Sequence, residues 1–362
     1  MHDYHLLLLP KMLRTRNPDA INGFFLHIPF PSFELFRLLP WREEILRGLL
    51  GADLIGFHTY SYAHHFLQSV SQILDIEHSQ WQVPVEKRIV KIDAFPMGID
   101  FIRFSTASSS PKIQKAADNI RKRFPKQKIV ISVDRLDYTK GISKRLEAFS
   151  LFLERNPGWR KKVTLILIAV PSRTAVPTYA QLKRTIDGLV GRINGRFGSI
   201  GWTPILYLYR ALPFESLASH YLAADVALVT PLRDGMNLIA KEYLATRYKS
   251  DGVLILSEMA GAAWELNDAI LVNPNNSEQI AEAIREALCM TPDAQLRRNQ
   301  LMRRRIESYT VTRWAHHFLT ELVRSKKSQR ELQSQILDEK NRKSLLTRGI
   351  AYLKGAAFRS IY

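Results

Sequence analysis

Between residues 129 and 272 the sequence alternates six short apolar runs with segments of helical periodicity, and this alternation narrows the fold more than any other feature. The runs are Ile129 to Val133, Val163 to Ala169, Ile205 to Leu208, Ala224 to Val229, Val253 to Leu256 and Ala269 to Val272. Between them Ile142, Leu146, Phe149 and Leu153 line one helix face, as do Leu182, Ile186, Leu189 and Ile193. Strand, crossover helix and strand in that order predict an α/β domain built on a doubly wound parallel sheet.

Residues 1 to about 120 read as a second, incomplete α/β unit. Strands are expected at Gly23 to Ile28, Asp53 to Phe57 and Lys87 to Phe95, with helices at Ser32 to Leu39, Arg42 to Leu50 and Ser61 to Leu74. The Ser-rich stretch from Ser105 to Pro111 is expected to begin the inter-domain connection. A long helix should run from Pro292 to about Arg324. The domain boundaries expected are therefore 1–120, 121–290, a C-terminal helix over 291–323, and a basic tail or linker over 324–362.

The stretch from Thr230 to Glu242, TPLRDGMNLIAKE, sits where a buried strand turns into a helix. Open α/β folds bind ligands at that carboxyl edge of the sheet. Gly235 lets a ligand approach the backbone, and the N–H groups of Gly235, Met236, Asn237 and Leu238 would face an anion such as a diphosphate. Asp234 and Glu242 would accept hydrogen bonds from sugar hydroxyls. The competing reading is that Asp234 only caps the helix.

Arg135 and Lys140, five residues apart on the strand-to-helix loop DRLDYTKG, could both reach a diphosphate at the following helix start. Arg offers a planar bidentate contact and Lys a point charge. The alternative is a solvated basic loop. Arg173 ends the next strand, where it suits a phosphate or simply solvent. His2, His5 and His27 lack the cysteine or carboxylate partners of a metal site, so none is predicted. There is no Gly-x-Ser-x-Gly elbow, Walker loop or Gly-x-Gly-x-x-Gly, which removes the usual entry points for Ser hydrolases, ATPases and dinucleotide redox enzymes.

The net charge of +18 raises the question of nucleic acid. Ten Lys and Arg against three Asp and Glu place +7 of it in residues 324–362, and no basic segment is interleaved with base-stacking aromatics. Anionic, phosphorylated substrates account better for the excess. No apolar run approaches the roughly 18 residues that cross a bilayer, so no membrane partner is expected. Cys289 is the single cysteine, which points to a reducing, cytoplasmic setting.

Taken together, HDYH at 2–5, GFFLHIPFP at 23–31, RLDYTKG at 135–141, GRING at 191–195, GWTP at 201–204 and TPLRDGMNLIAKE at 230–242 resemble the trehalose-6-phosphate synthase family, from residue 1 to about 323. The resemblance implies a GT-B fold: two Rossmann-like domains facing a cleft, here with the first incomplete at its N-terminus, and a C-terminal helix that crosses back. It also implies metal-independent transfer of glucose from UDP-glucose to glucose 6-phosphate with retention, and no cofactor. Carried over by position, Arg135 and Lys140 hold the UDP diphosphate. Leu238, Ile239, Ala240, Lys241 and Glu242 hold the ribose and glucose, and Leu212 lies toward the uracil. Asp3 and Arg173 engage glucose 6-phosphate, while His27 and Asp234 contact the transferring glucose.

In the family the HDYH motif follows several strands and a glycine-bearing loop, and this chain begins inside the motif. Exposed apolar edges and weak or no synthase activity are expected on that account. The tail resembles the connection to a phosphatase domain, whose Asp-x-Asp motif is absent from this sequence. The resemblance leaves room for a homo-oligomer and for a phosphatase domain or partner beyond the tail. The nearest rival reading is a glucosylglycerol-phosphate synthase, and from another class a non-catalytic regulatory or scaffold subunit.

Overall fold

The computed structural model describes residues 1–247, 249, 251–331 and 334. These divide into two compact units, Met1–Phe95 with the segment from His316 onward, and Pro96–Ala315.

In the first unit four strands, β1 (Gly23–Phe25), β2 (Leu54–Phe57), β3 (Gln82–Val85) and β4 (Arg88–Ala94), lie in the order β1-β2-β4-β3. β1, β2 and β4 are parallel and β3 returns antiparallel to β4. Strand β3 was not expected. It holds Pro84, which a strand tolerates only at a sheet edge, and it is at the edge. Phe24, Ile55, Phe57 and Ile92 share one core with Phe66 and Val70 of the helix Tyr60–Leu74 and with Leu46 and Leu49 of the helix Arg42–Leu49. Phe25 and Phe95 meet Phe318 edge-on at ring distances of 6.0 and 5.1 Å. The outer side of β1 receives backbone from the chain start: Phe25 N–H donates to Met1 O and Asp3 N–H to Phe25 O. Leu8 and Met12, at the start of and within the helix Leu9–Arg16, are exposed, 46% and 57%.

The second unit holds six parallel strands, β5 (Lys128–Arg135), β6 (Val163–Val170), β7 (Ile205–Leu208), β8 (Val226–Val229), β9 (Val253–Ser257) and β10 (Ile270–Val272), ordered β10-β9-β8-β5-β6-β7. The chain moves outward from β5 through β6 to β7, then returns to β5's other flank as β8. Between β5 and β8 the winding reverses, the crevice where a doubly wound sheet binds ligands. Two apolar cores, one on each face, match the expected helix layers.

Three expected boundaries are corrected. The Ser-rich stretch is no linker, because Phe101–Ala107 and Pro111–Arg123 are helices whose Phe101, Phe104 and Ala117 join the second unit's core with Tyr221 and Tyr243. The division thus falls at 95/96 rather than near 120. The single long helix is two, Pro292–Ser308 and a second over 311–331. Val311 N–H donates to Ile99 O instead of continuing the helical ladder, and Arg313 Nη1 takes up Ser308 O. Residues 324–331 are helical and docked, with Ser325 Oγ donating to Asp53 O and Gln329 Nε2 to Ile89 O. The remainder of the expected tail, 332–333 and 335–362, lies outside the described residues.

Candidate active site

In the second unit two strand-to-helix loops meet at the point of reversal. One leaves β5 through the 3-10 turn Tyr138–Lys140 into the helix Ile142–Arg155, and the other leaves β8 into the helix Leu238–Thr246. Their backbones are joined, since Leu232 N–H and Arg233 N–H both donate to Thr139 O at 2.8 and 3.3 Å. The first loop closes on Gly141 at φ +65°, where a Cβ would stand 2.8 Å from Thr230 O. Only glycine meets both conditions without strain.

Lys140 Nζ lies 2.5 Å from Asp234 Oδ2, and Asn237 Nδ2 donates to the same oxygen at 3.0 Å. Asn237, left-handed at φ 75°, is the helix cap: its side chain accepts from Ala240 N–H. The cap-only reading of Asp234 is thereby corrected. Its carboxylate faces the Lys140 loop. Gly235 approaches Gly261 so closely that a Cβ on Gly261 would fall 2.0 Å from Gly235 O.

Beneath this pair is a cluster the sequence reading missed. Arg145 is fully buried on the helix Ile142–Arg155. Its Nη1 pairs with Asp134 Oδ2 at 2.7 Å and also bonds Ser132 Oγ, its Nε reaches Thr230 Oγ1 at 3.1 Å, and its Nη2 reaches Lys140 O at 3.0 Å. Burial pushes the Asp134 carboxyl up, against the pull of Arg145 and Lys140. The signal was present: Arg145 stands between Ile142 and Leu146 on the apolar stripe, where an arginine requires a buried partner.

Of the other expected residues in this unit, Arg135 is exposed at the end of β5 and Arg173 is exposed after β6. Arg173 Nη1 donates to Tyr179 Oη at 3.1 Å, and Tyr179 Oη donates to Asp137 Oδ2 at 3.1 Å, which ties Arg173 to the same loop as Lys140. Burial opposes ionisation of Asp137. Hydrogen bonds from the Thr139 N–H and hydroxyl and from Tyr179, with the Lys140 charge, outweigh it and hold its pKa below the usual range. Leu212, Leu238 and Ile239 are partly buried against the core, while Met236 and Ala240 are within it. Lys241 is turned inward, donating to Met97 O at 2.8 Å and paired with Glu265, so its side chain is committed inside the unit. Burial lowers its pKa, and Glu265 pulls it back up. Glu242 accepts from Tyr221 Oη at 3.2 Å, and burial raises its carboxyl despite Tyr221 and Arg103.

Asp3 and His27 belong to the first unit, at the carboxyl edge of its sheet. His27 Nε2 is 3.1 Å from His2 Nδ1, and its ring stands 5.7 Å from that of His58. Asp3 holds φ 68°, and its Oδ1 is buried with no hydrogen-bond partner among the described residues. Burial, then the neighbouring His2, lowers the His27 pKa against the pull of Asp3. The first unit brings Asp3 and His27 together around His2, and the second brings Lys140, Asp234 and the Arg173 relay together.

The model of the family described as glycosyltransferase family 20 matches residues 1–324. A protein of Thermoproteus tenax named bifunctional trehalose-6-phosphate synthase/phosphatase is 48% identical over 335 residues, covering 92% of this chain and 46% of its own length. The chain therefore spans about half the length of that relative. Among solved structures, an Escherichia coli protein described as bound with UDP-2-fluoro glucose is 35% identical at TM-score 0.85, covering 89% of this chain and 72% of its own. A UDP-forming α,α-trehalose-phosphate synthase from Burkholderia xenovorans, in complex with glucose-6-phosphate, is 34% identical at TM-score 0.86, covering 89% and 71%.

Proposed function

The chain belongs to glycosyltransferase family 20, and from that premise we propose that it transfers glucose from UDP-glucose to glucose 6-phosphate, giving trehalose 6-phosphate and UDP with retention. The observation that carries this reading is the 2.5 Å meeting of Lys140 and Asp234 across two loops at the point where the sheet reverses. The ligands named for the E. coli and B. xenovorans relatives support the same pair of substrates. The T. tenax name supports a phosphatase as the partner that consumes the product.

In this reading Arg135, Lys140 and the N-terminus of the helix Leu238–Thr246 take the donor diphosphate. As the bond from the glucose anomeric carbon to the β-phosphate oxygen breaks, negative charge grows on UDP, and fixed positive groups stabilise it there. The acceptor's anomeric hydroxyl attacks from the same face and gives its proton to the departing phosphate oxygen. Asp234 and Glu242 accept from sugar hydroxyls, Leu212 lies toward the base, and Arg173 takes the acceptor phosphate. In the first unit, Asp3 and His27 are assigned to sugar hydroxyls.

Calorimetry with UDP tests the donor side. Arg135→Ala and Lys140→Ala should each weaken binding about 10- to 100-fold, the weight of one charge-assisted contact. Unchanged affinity in both variants sinks the assignment. Release of UDP from UDP-glucose should depend on glucose 6-phosphate. A glucose trapped covalently on Asp234 during turnover would replace same-face attack with double displacement.

A further inference from the structure

Arg145 carries a full charge at no solvent exposure, and the transfer chemistry has no step for it. Its guanidinium bonds three separate pieces of chain. Ser132 and Asp134 belong to β5, Thr230 opens the segment that leads from β8 to Asp234, and the Lys140 carbonyl is the backbone of the residue whose ammonium meets Asp234. A planar fork of five N–H donors can hold all of these at once, and a lysine ammonium on the same helix cannot.

We infer that Arg145 is the positioning residue of the diphosphate loop, fixing Leu136–Gly141 against the ends of β5 and β8 so that Lys140 presents its ammonium to the incoming anion. The inference rests on the proposed donor reading and names what that reading lacks, the group that sets the loop. Fold stability alone does not call for this arrangement, because a buried ion pair can often be exchanged for apolar residues of like volume without loss. The bonds to Thr230 Oγ1 and Lys140 O give Arg145 a second task. With them, the loop carrying Lys140 and the loop carrying Asp234 are set by one side chain.

The test compares UDP with uridine, which lacks the diphosphate. UDP is titrated by calorimetry and uridine by NMR, on wild type, Arg145→Lys and Thr230→Val. Arg145→Lys keeps the charge beside Asp134 and loses the fork, and Thr230→Val leaves the ion pair whole and removes one anchor. Arg145→Lys should lose about tenfold in UDP affinity, about one charge-assisted bond's worth, with uridine affinity unchanged. Thr230→Val should shift the same ratio in the same direction by a smaller factor. If both variants keep the wild-type ratio of UDP to uridine affinity, or if both ligands weaken together, Arg145 serves only the fold and the inference is overturned. Wild type that binds no UDP sinks the donor reading itself, a result visible before any variant is compared. If Arg145→Lys fails to fold, Thr230→Val decides by the same ratio.

Discussion

A carboxylate already held by an ammonium and an amide makes a poor nucleophile, and Asp234 is held by both Lys140 and Asn237. That favours same-face attack over a glycosyl-enzyme. The imidazole of His27 gives a pH signature of its own. Its folded-state pKa is lowered by burial and by His2, so the unfolded chain binds this proton more readily than the folded one. Stability should therefore fall as pH drops from the ordinary value of 6.5 toward the depressed one, and level off below it. Urea titrations between pH 7 and 5 should show a shallower dependence in His27→Gln than in wild type; an identical slope would remove His27 from the balance. Lys140 and Asp234 were legible as chemistry because each stands in a loop after a strand. Arg145 on its apolar stripe signalled a buried partner, but that the partner is Asp134 shows only once the helix Ile142–Arg155 folds back against β5.

Loops, more than strands, decide the site. Replacing Gly141 by alanine puts a Cβ 2.8 Å from Thr230 O at a positive φ, and should destabilise the second unit by about 1–3 kcal/mol in urea unfolding while weakening UDP binding. Wild-type stability in that variant would mean that the loop can move aside. The long strands of the second unit followed from their apolar runs, because strands buried on both faces carry that pattern openly. β3 did not, being short, at the edge and interrupted by Pro84. The break at 309–310 carried a local signal that was passed over, Thr310, whose Oγ1 accepts from Arg313 N–H at 3.4 Å as a helix cap, while Val311 N–H goes to the distant Ile99 O.

The molecule has the GT-B fold that the motifs implied, and the solved relatives share it. Its division at 95/96 and 315/316 was not legible, because which unit a helix joins is a matter of long-range packing. The first unit is assembled from both ends of the chain: Phe318, from the helix over 311–331, fills the space against Phe25 and Phe95. Phe318→Ala should cost about 3–5 kcal/mol in urea unfolding of that unit, as large-to-small changes at aromatic core positions do. No helix among the described residues is long and apolar enough to cross a membrane. A polypeptide carrying +18 draws small anions from its surroundings, chloride and orthophosphate as well as nucleotides. The ammonium at 140 is nevertheless not open to all of them, because an internal counter-ion occupies it. Entry there is ion exchange: an anion that pairs with Lys140 must displace the tethered carboxylate of Asp234.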